Sequence, residues 1–536
     1  VRWGGVGVSM GGLWWGGFWV WLLRGILGAT GKFGGTLIYA RGADGSSMDP
    51  ALVTDGESYA TTSNIYETLV RFKYGTTEIE PSLATSWEVS KDGLTYTFHL
   101  RKGVYFHTTK YWNKKVEFKA KDVLFSFKRQ MKTNKPYYKD GRGYVYWESM
   151  NMSSIIKDVQ ALDDYTVKIT LNKPEAPFLA DLGMDFLSIL SADYANYLAS
   201  QNKEAELSKK PIGTGPFKFA LWIKDERVIL TRNDQYWGPK AYLDKVVIRV
   251  IPNPSSRVLA LQKGEVSMIS APNHSEVANL ESLPNVVVDK DPALMVSWIS
   301  LNTQKKPFSN RLVRLALNYA INLDDYIKVV YEGYAKKAVN PLPPGMWSYN
   351  TDIKPYPYDP DKAKQLLKQA GYPDGFSTTL YTASRHRKQA AEFIQAQLLK
   401  IGVRVKVEFL EWGAYLKKMA MGEHEMAFSG WRADTGDPDN FLYTLWSKHA
   451  ALQIPSQNHS FYKSVAYSDL VTRAKGVTDE RERTKLYKEA QVIFHKDVPW
   501  IPLVYPDEII PHLASLKGLK LTGVQLNRFA NFYFDK

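Results

Sequence analysis

The sequence predicts an α/β fold in interwoven domains, and three observations predict it. Short runs of alternating hydrophobicity dominate the first half, as half-buried strands require. Residues 355–435 spell helix, helix, strand, helix, strand, the alternation of an α/β lobe. No repeat, low-complexity tract or long linker interrupts the 536 residues, a length that implies two to four folding units at ~100–200 residues each.

Taken in order, the strand signals are 36–40, 94–100 (LTYTFHL), 166–171 (TVKITL) and 228–231. In YDPDKAKQLLKQAGYPDGF, Asp359 can cap a helix, Pro360 suits its first position, and Gly371 closes it with Pro373 beyond. Its apolar positions Ala363, Leu366, Leu367 and Ala370 recur at i, i+3, i+4, i+7, which is one buried face. A second helix, 390–401, ends at Gly402. It feeds VRVKVEFL, where Val403, Val405, Val407 and Phe409 alternate with Arg404, Lys406 and Glu408, so that Phe409 is expected on the buried face. A helix at 412–421 and an apolar strand, EMAFSGW, complete the series.

Composition removes much chemistry. With no Cys there is no thiol nucleophile, disulfide, Cys-ligated metal or Cys-linked lipid. The net charge is +14, but the densest basic patches, 114–121 and 203–210, interleave with Glu or apolar residues. That pattern reads as a solvated surface rather than a nucleic-acid site, with an anionic ligand or partner left open. Residues 1–31 carry no Asp or Glu and hold a Trp-rich apolar run broken by Gly and Arg24, followed by small residues Gly28, Ala29 and Thr30. This reads as an export signal, with a retained membrane anchor as the alternative. No later stretch reaches ~18 consecutive apolar residues.

Three partial motifs fail. GVSMG at 7–11 lacks the strand that a nucleophile elbow needs. GATGKF at 28–33 has Ile26 and Phe33 where a phosphate loop needs Gly and Ser/Thr. His424 and Glu425 lack the second His of a zinc helix, since position 428 is Phe. The loop DTGDPDN (Asp434, Asp437, Asp439) breaks calcium-loop spacing and reads either as a structural turn or as a carboxylate meeting a ligand ammonium. No catalytic residue, metal or cofactor is expected.

Several long segments resemble the extracytoplasmic peptide-binding proteins of ABC importers, the dipeptide and oligopeptide class of family 5. They include LATSWEVSKDGLTYTFHLRKGVYFH (83–107), KPEAPFLADLGMDF (173–186), PIGTGPFKF (211–219), LNTQKKPFSNRLVRLALNYAIN (301–322), GWRADTGDPDNF (430–441) and EAQVIFHKDVPWIPL (489–503). The resemblance runs in family order from about Thr36 to the C-terminus. It implies a two-lobed periplasmic binding protein of the class II, cluster C type, with lobe I at 32–292 plus 504–536, lobe II at 293–503, and a ligand cleft between. It also implies a periplasmic monomer that captures short, dipeptide-like peptides by hinge closure, delivers them to a membrane permease and ATPase complex, and performs no chemistry. Haem, another non-peptide ligand or a cationic peptide is the alternative within the fold. An adhesion or folding-helper role and a peptidase are the rivals outside it.

By the same resemblance Asp434 grips the ligand's α-ammonium. Backbone at Gly430, Trp431 and Arg432, and at Thr54, Asp55 and Gly56, would pair with the ligand main chain. The sequence departs from the family at the carboxylate end, where LYTASRHRKQAAEF (380–393) is several residues shorter than usual. Arg385 and Arg387 are the candidates to replace the family's carboxylate-binding Arg, against the reading of a solvated basic loop.

Overall fold

A computed structural model describes residues 32–131, 137, 143–383, 387–521, 524 and 528–535. The export segment read at 1–31 and the candidate Arg385 lie outside these residues.

The predicted alternation is realised around one 12-stranded sheet. From one edge its order is Arg404–Phe409, Ser377–Thr382, Met426–Arg432, Met295–Leu301, Trp500–Leu513, Met268–Ile269, Thr36–Arg41, Lys245–Val250, Arg227–Arg232 and Phe217–Ile223. Two short segments, Val286–Pro292 and Ala335–Lys337, also pair with Trp500–Leu513. That 14-residue strand joins the two halves of the sheet. Its first part pairs with Met295–Leu301 and its last part with Val286–Pro292, both antiparallel. A separate four-stranded antiparallel sheet carries the Thr95–Leu100 and Thr166–Leu171 strands.

Local chemistry accounts for the elements. The Pro360–Gln369 helix starts where the Asp359 carboxylate accepts the Lys362 N–H at 2.8 Å. It buries Ala363, Leu366 and Leu367 and ends before Gly371, whose φ of 91° suits glycine. Lys388–Leu399 likewise stops before Gly402 at φ 82°. The expectation for Phe409 fails: Val403 and Val405 are buried, but Phe409, the last residue of the strand, is exposed.

Two large cores result. One gathers the first half of the chain together with 441–500, including the ring cluster Trp298, Trp446, Phe494 and Trp500. The other lies under the 299–428 helices and the Ile501–Val504 end of the long strand. Between the 174–181 segment and the 437–483 segment lies a buried ionic network. Lys475 reaches Glu175 at 2.9 Å and Asp439 at 3.5 Å, Arg483 grips Asp437 with two 2.8 Å bonds, and the Ala176 N–H donates to the Lys475 carbonyl at 2.7 Å.

Candidate ligand-binding cleft

Met426–Arg432 is hydrogen-bonded on one side along its whole length by Met295–Leu301. On its other side the parallel strand Ser377–Thr382 reaches only Met426 and Ala427. From Phe428 to Arg432 that second edge has no strand partner among the described residues. An open row of N–H and C=O groups is a template for an added strand. Tyr415 takes up one of them by donating its hydroxyl to the Phe428 carbonyl.

At the end of this edge stands Asp434, held from three directions. Its N–H donates to the Asn440 amide oxygen at 2.9 Å, and that same oxygen accepts the Trp431 indole N–H at 3.1 Å. The Asn440 amide N–H donates back to Asp434 Oδ2 at 3.2 Å. The Tyr146 hydroxyl, 288 residues away in sequence, donates to the same Oδ2 at 2.6 Å. Burial pushes Asp434 up to about 6 even though these two donors favour its ionised form. Oδ1 has no protein donor among the described residues, so the carboxylate retains acceptor capacity toward a ligand.

The carboxylate opens into a small pocket lined by Tyr59, Tyr146, Met184, Asp185, Asp434 and Val524. Tyr59 stacks on Tyr146 with centroids 6.4 Å apart and donates to the Val53 carbonyl at 2.6 Å. Burial lifts both phenols well above their ordinary range, so they remain neutral donors. Burial, then the Asp434 charge, pushes Asp185 up to about 7, while Arg528 pulls it down. An aromatic box with carboxylate walls suits a small cation such as an ammonium.

Arg387, the first residue before Lys388–Leu399, lies at the other end of the edge. Its guanidinium sits 5.7 Å above the Phe428 ring, and Nη2 is 3.5 Å from where a Cβ on Gly430 would stand. Its charge favours the ionised phenolates of Tyr326, Tyr331 and Tyr415, which places it among these three rings. No carboxylate pairs with it among the described residues. Half-buried and unpaired, it offers a fork of donors to an anion.

The remaining predicted residues divide by role. Trp431 is buried and meets Tyr146 edge-on at 5.9 Å. The side chain of Arg432 is committed to an ion pair with Glu508, leaving only its backbone toward the edge, and burial lowers the guanidinium to about 10. Asp55 is more a structural cap than a loop contact. It accepts from Ser58 N at 3.0 Å and Ser58 Oγ at 2.9 Å, and it also takes the Trp412 indole N–H at 3.0 Å. Gly56 opens the Gly56–Thr62 helix, and Thr54 is half-buried before it. Sequence reasoning missed Tyr59, Tyr146, Asp185, Asn440 and Trp412. Among the described residues no His, Asp and Glu group is placed to hold a metal, and no helix is long and apolar enough to cross a membrane.

The chain matches the bacterial extracellular solute-binding proteins, family 5, over residues 78–453. It is 43% identical over 491 residues to heme-binding protein A of Haemophilus influenzae, covering 90% of this chain and 89% of that one. It is 42% identical over 504 residues to the dipeptide-binding protein of Escherichia coli, covering 92% and 94%. Among solved structures it resembles an ABC transporter-associated periplasmic binding protein from Helicobacter pylori in complex with the peptide STSA. That match has a TM-score of 0.93 and 67% identity, covering 94% of this chain and 99% of that one. With an α/β architecture, a cleft beside an open strand edge and a family match over most of its length, this chain belongs to the family 5 bacterial extracellular solute-binding proteins, which are two-lobed.

Proposed function

We propose that this protein is the substrate-binding subunit of a peptide ABC importer and takes unblocked short peptides of about four residues. The observation that carries the reading is the open edge between two opposite charges. Asp434 stands at one end, Arg387 beside Gly430 at the other, and unpaired backbone lies between them. Four residues of extended chain span about 13 Å, the length of a tetrapeptide. With its ammonium at Asp434 and its carboxylate at Arg387, the ligand adds as a strand antiparallel to Met426–Arg432. Backbone pairing ignores side chains, which lets one cleft accept many sequences. The tetrapeptide STSA in the related structure supports this length.

Lobe I is proposed at 32–292 plus 504–536 and lobe II at 293–503. The two antiparallel crossings, Val286–Pro292 into Met295–Leu301 and the long Trp500–Leu513 strand, support these boundaries as a double hinge. Closure would bring Tyr146 to Asp434 and Asp55 to Trp412, completing the site only when the lobes meet. The closed, loaded form is what an importer's permease and ATPase would select, with the binding protein working as an exported, periplasmic monomer and performing no chemistry.

Haem is the second reading, favoured by the Haemophilus influenzae relative. The pocket at Asp434 counts against it. No His lines it to ligate a haem iron. Native mass spectrometry of protein purified from cells, with identification of the released ligand, tests the choice. Mixed short peptides support the proposal, whereas a single porphyrin mass overturns it.

A further inference from the structure

We propose that Asp185 is the second acid of the ammonium subsite, and that Asp185 and Asp434 together make peptide capture expel a proton. This rests on the peptide reading above, and specifically on Asp434 as the ammonium clamp.

The geometry is that of two carboxylates sharing one aromatic box. Asp434 and Asp185 both line the pocket whose other walls are Tyr59, Tyr146, Met184 and Val524. Asp434 is tethered by Tyr146 and Asn440, whereas no hydrogen bond fixes the Asp185 carboxylate among the described residues. Asp185 comes from the 3₁₀ turn Asp185–Leu187, on a segment far in sequence from Asp434. Two anionic side chains facing one small buried volume repel, so the empty site holds a proton near neutrality.

The groups facing the pair from the surrounding elements do not relieve this. Tyr59 and Tyr146 are neutral, and Arg528, still protonated near neutrality although burial lowers it to about 10, draws Asp185 down but offsets only part of the upward push. Asp49 and Asp55 add negative charge around Tyr59. A bound ammonium supplies the missing positive charge. The exchange balances: the singly protonated pair and a peptide –NH3+ give the doubly ionised pair holding the ammonium, plus one H+ in solution.

The sign follows from linkage. Both acids titrate upward of their ordinary range, at about 6 and about 7, and both are ionised in the complex, so affinity rises with pH until the peptide amine itself deprotonates. Treating the two acids as independent, affinity for an unblocked peptide increases about 20-fold between pH 6 and pH 8, and only about twofold once Asp185 is made neutral.

The test is isothermal titration of the full chain with the peptide Ser-Thr-Ser-Ala at pH 6, 6.5, 7 and 8, in buffers of differing ionisation enthalpy that count protons. Wild type is expected to release close to one proton at pH 6.5 and to show the steep affinity profile. Asp185→Asn is expected to bind with a profile flattened to about twofold and most of the proton release gone. Asp185→Ser serves as the second variant if the first does not fold. A wild type that releases no proton, or a folded variant with the wild-type slope, overturns the proposal. An N-acetylated peptide that binds as tightly as the free one instead overturns the ammonium reading itself, so the two failures are distinguishable.

Discussion

Asp434→Asn is the most informative perturbation, because it should move binding and stability in opposite directions. The substitution keeps the shape of the side chain and lets its amide oxygen go on accepting from Tyr146, now 2.6 Å from Oδ2. What it removes is the charge opposite the ligand ammonium. A hydrogen bond to a charged group contributes about 1.5–3 kcal/mol, so affinity for an unblocked tetrapeptide should fall on the order of 10- to 150-fold. N-acetylated peptides should bind weakly and equally to both proteins. In the unliganded protein the sign reverses. Burial raises this carboxyl from its ordinary value to about 6, so ionising it at pH 7 costs the folded state on the order of 3 kcal/mol, a cost that fades as pH falls through 6. The variant should therefore melt higher than wild type at pH 7 without ligand, with the gap closing near pH 4. Calorimetric titration and thermal melts read both effects. Equal peptide affinity in the two proteins, or a variant less stable at pH 7, would refute the reasoning.

Other outcomes follow from the same geometry. Arg387→Leu should weaken free-acid peptides about 10- to 100-fold and leave C-terminally amidated peptides unchanged, as read by titration with the matched pair. Gly430→Val should weaken both, since even its Cβ would lie 3.2 Å from Met295 Cε and 3.5 Å from Arg387 Nη2 at the edge that receives the ligand. Lys475→Met strands the Glu175 and Asp439 carboxylates in the core beside Asp181, so urea unfolding at pH 7 should show a loss of about 3–5 kcal/mol. Burial holds all three carboxyls above their ordinary values, so acid neutralises them in the folded state. Part of the loss should therefore return at pH 5, and a loss that grows with acidity would contradict the assignment.

Features encoded by neighbours along the chain were legible in the sequence. The cap at Asp359, the stop at Gly371 and the alternation of 166–171 are set within a few residues and appear as read. Phe409 was misjudged because alternation reports which face a residue takes, while burial also needs a covering element, and Phe409 is the last residue of its strand. In the cleft, the segment carrying Asp434 stood out, and so did Arg387. Tyr146 did not, since it projects from a five-residue helix with no periodic signal and meets Asp434 only through the tertiary fold. Asp185 lay inside the 173–186 segment that carried the family resemblance, but nothing local marks one Asp there as facing another 249 positions away. The open edge of Met426–Arg432 was equally invisible, because it depends on where a neighbouring strand stops.

The central claim is that a peptide lies along that edge between Asp434 and Arg387. The most direct measurement is a crystal structure of the protein grown with Ser-Thr-Ser-Ala. The account predicts the peptide ammonium within hydrogen-bond distance of Asp434 Oδ1, its carboxylate on the Arg387 guanidinium, and its backbone antiparallel to Phe428–Arg432. A peptide in the reverse direction, or one bound away from this edge, would contradict it.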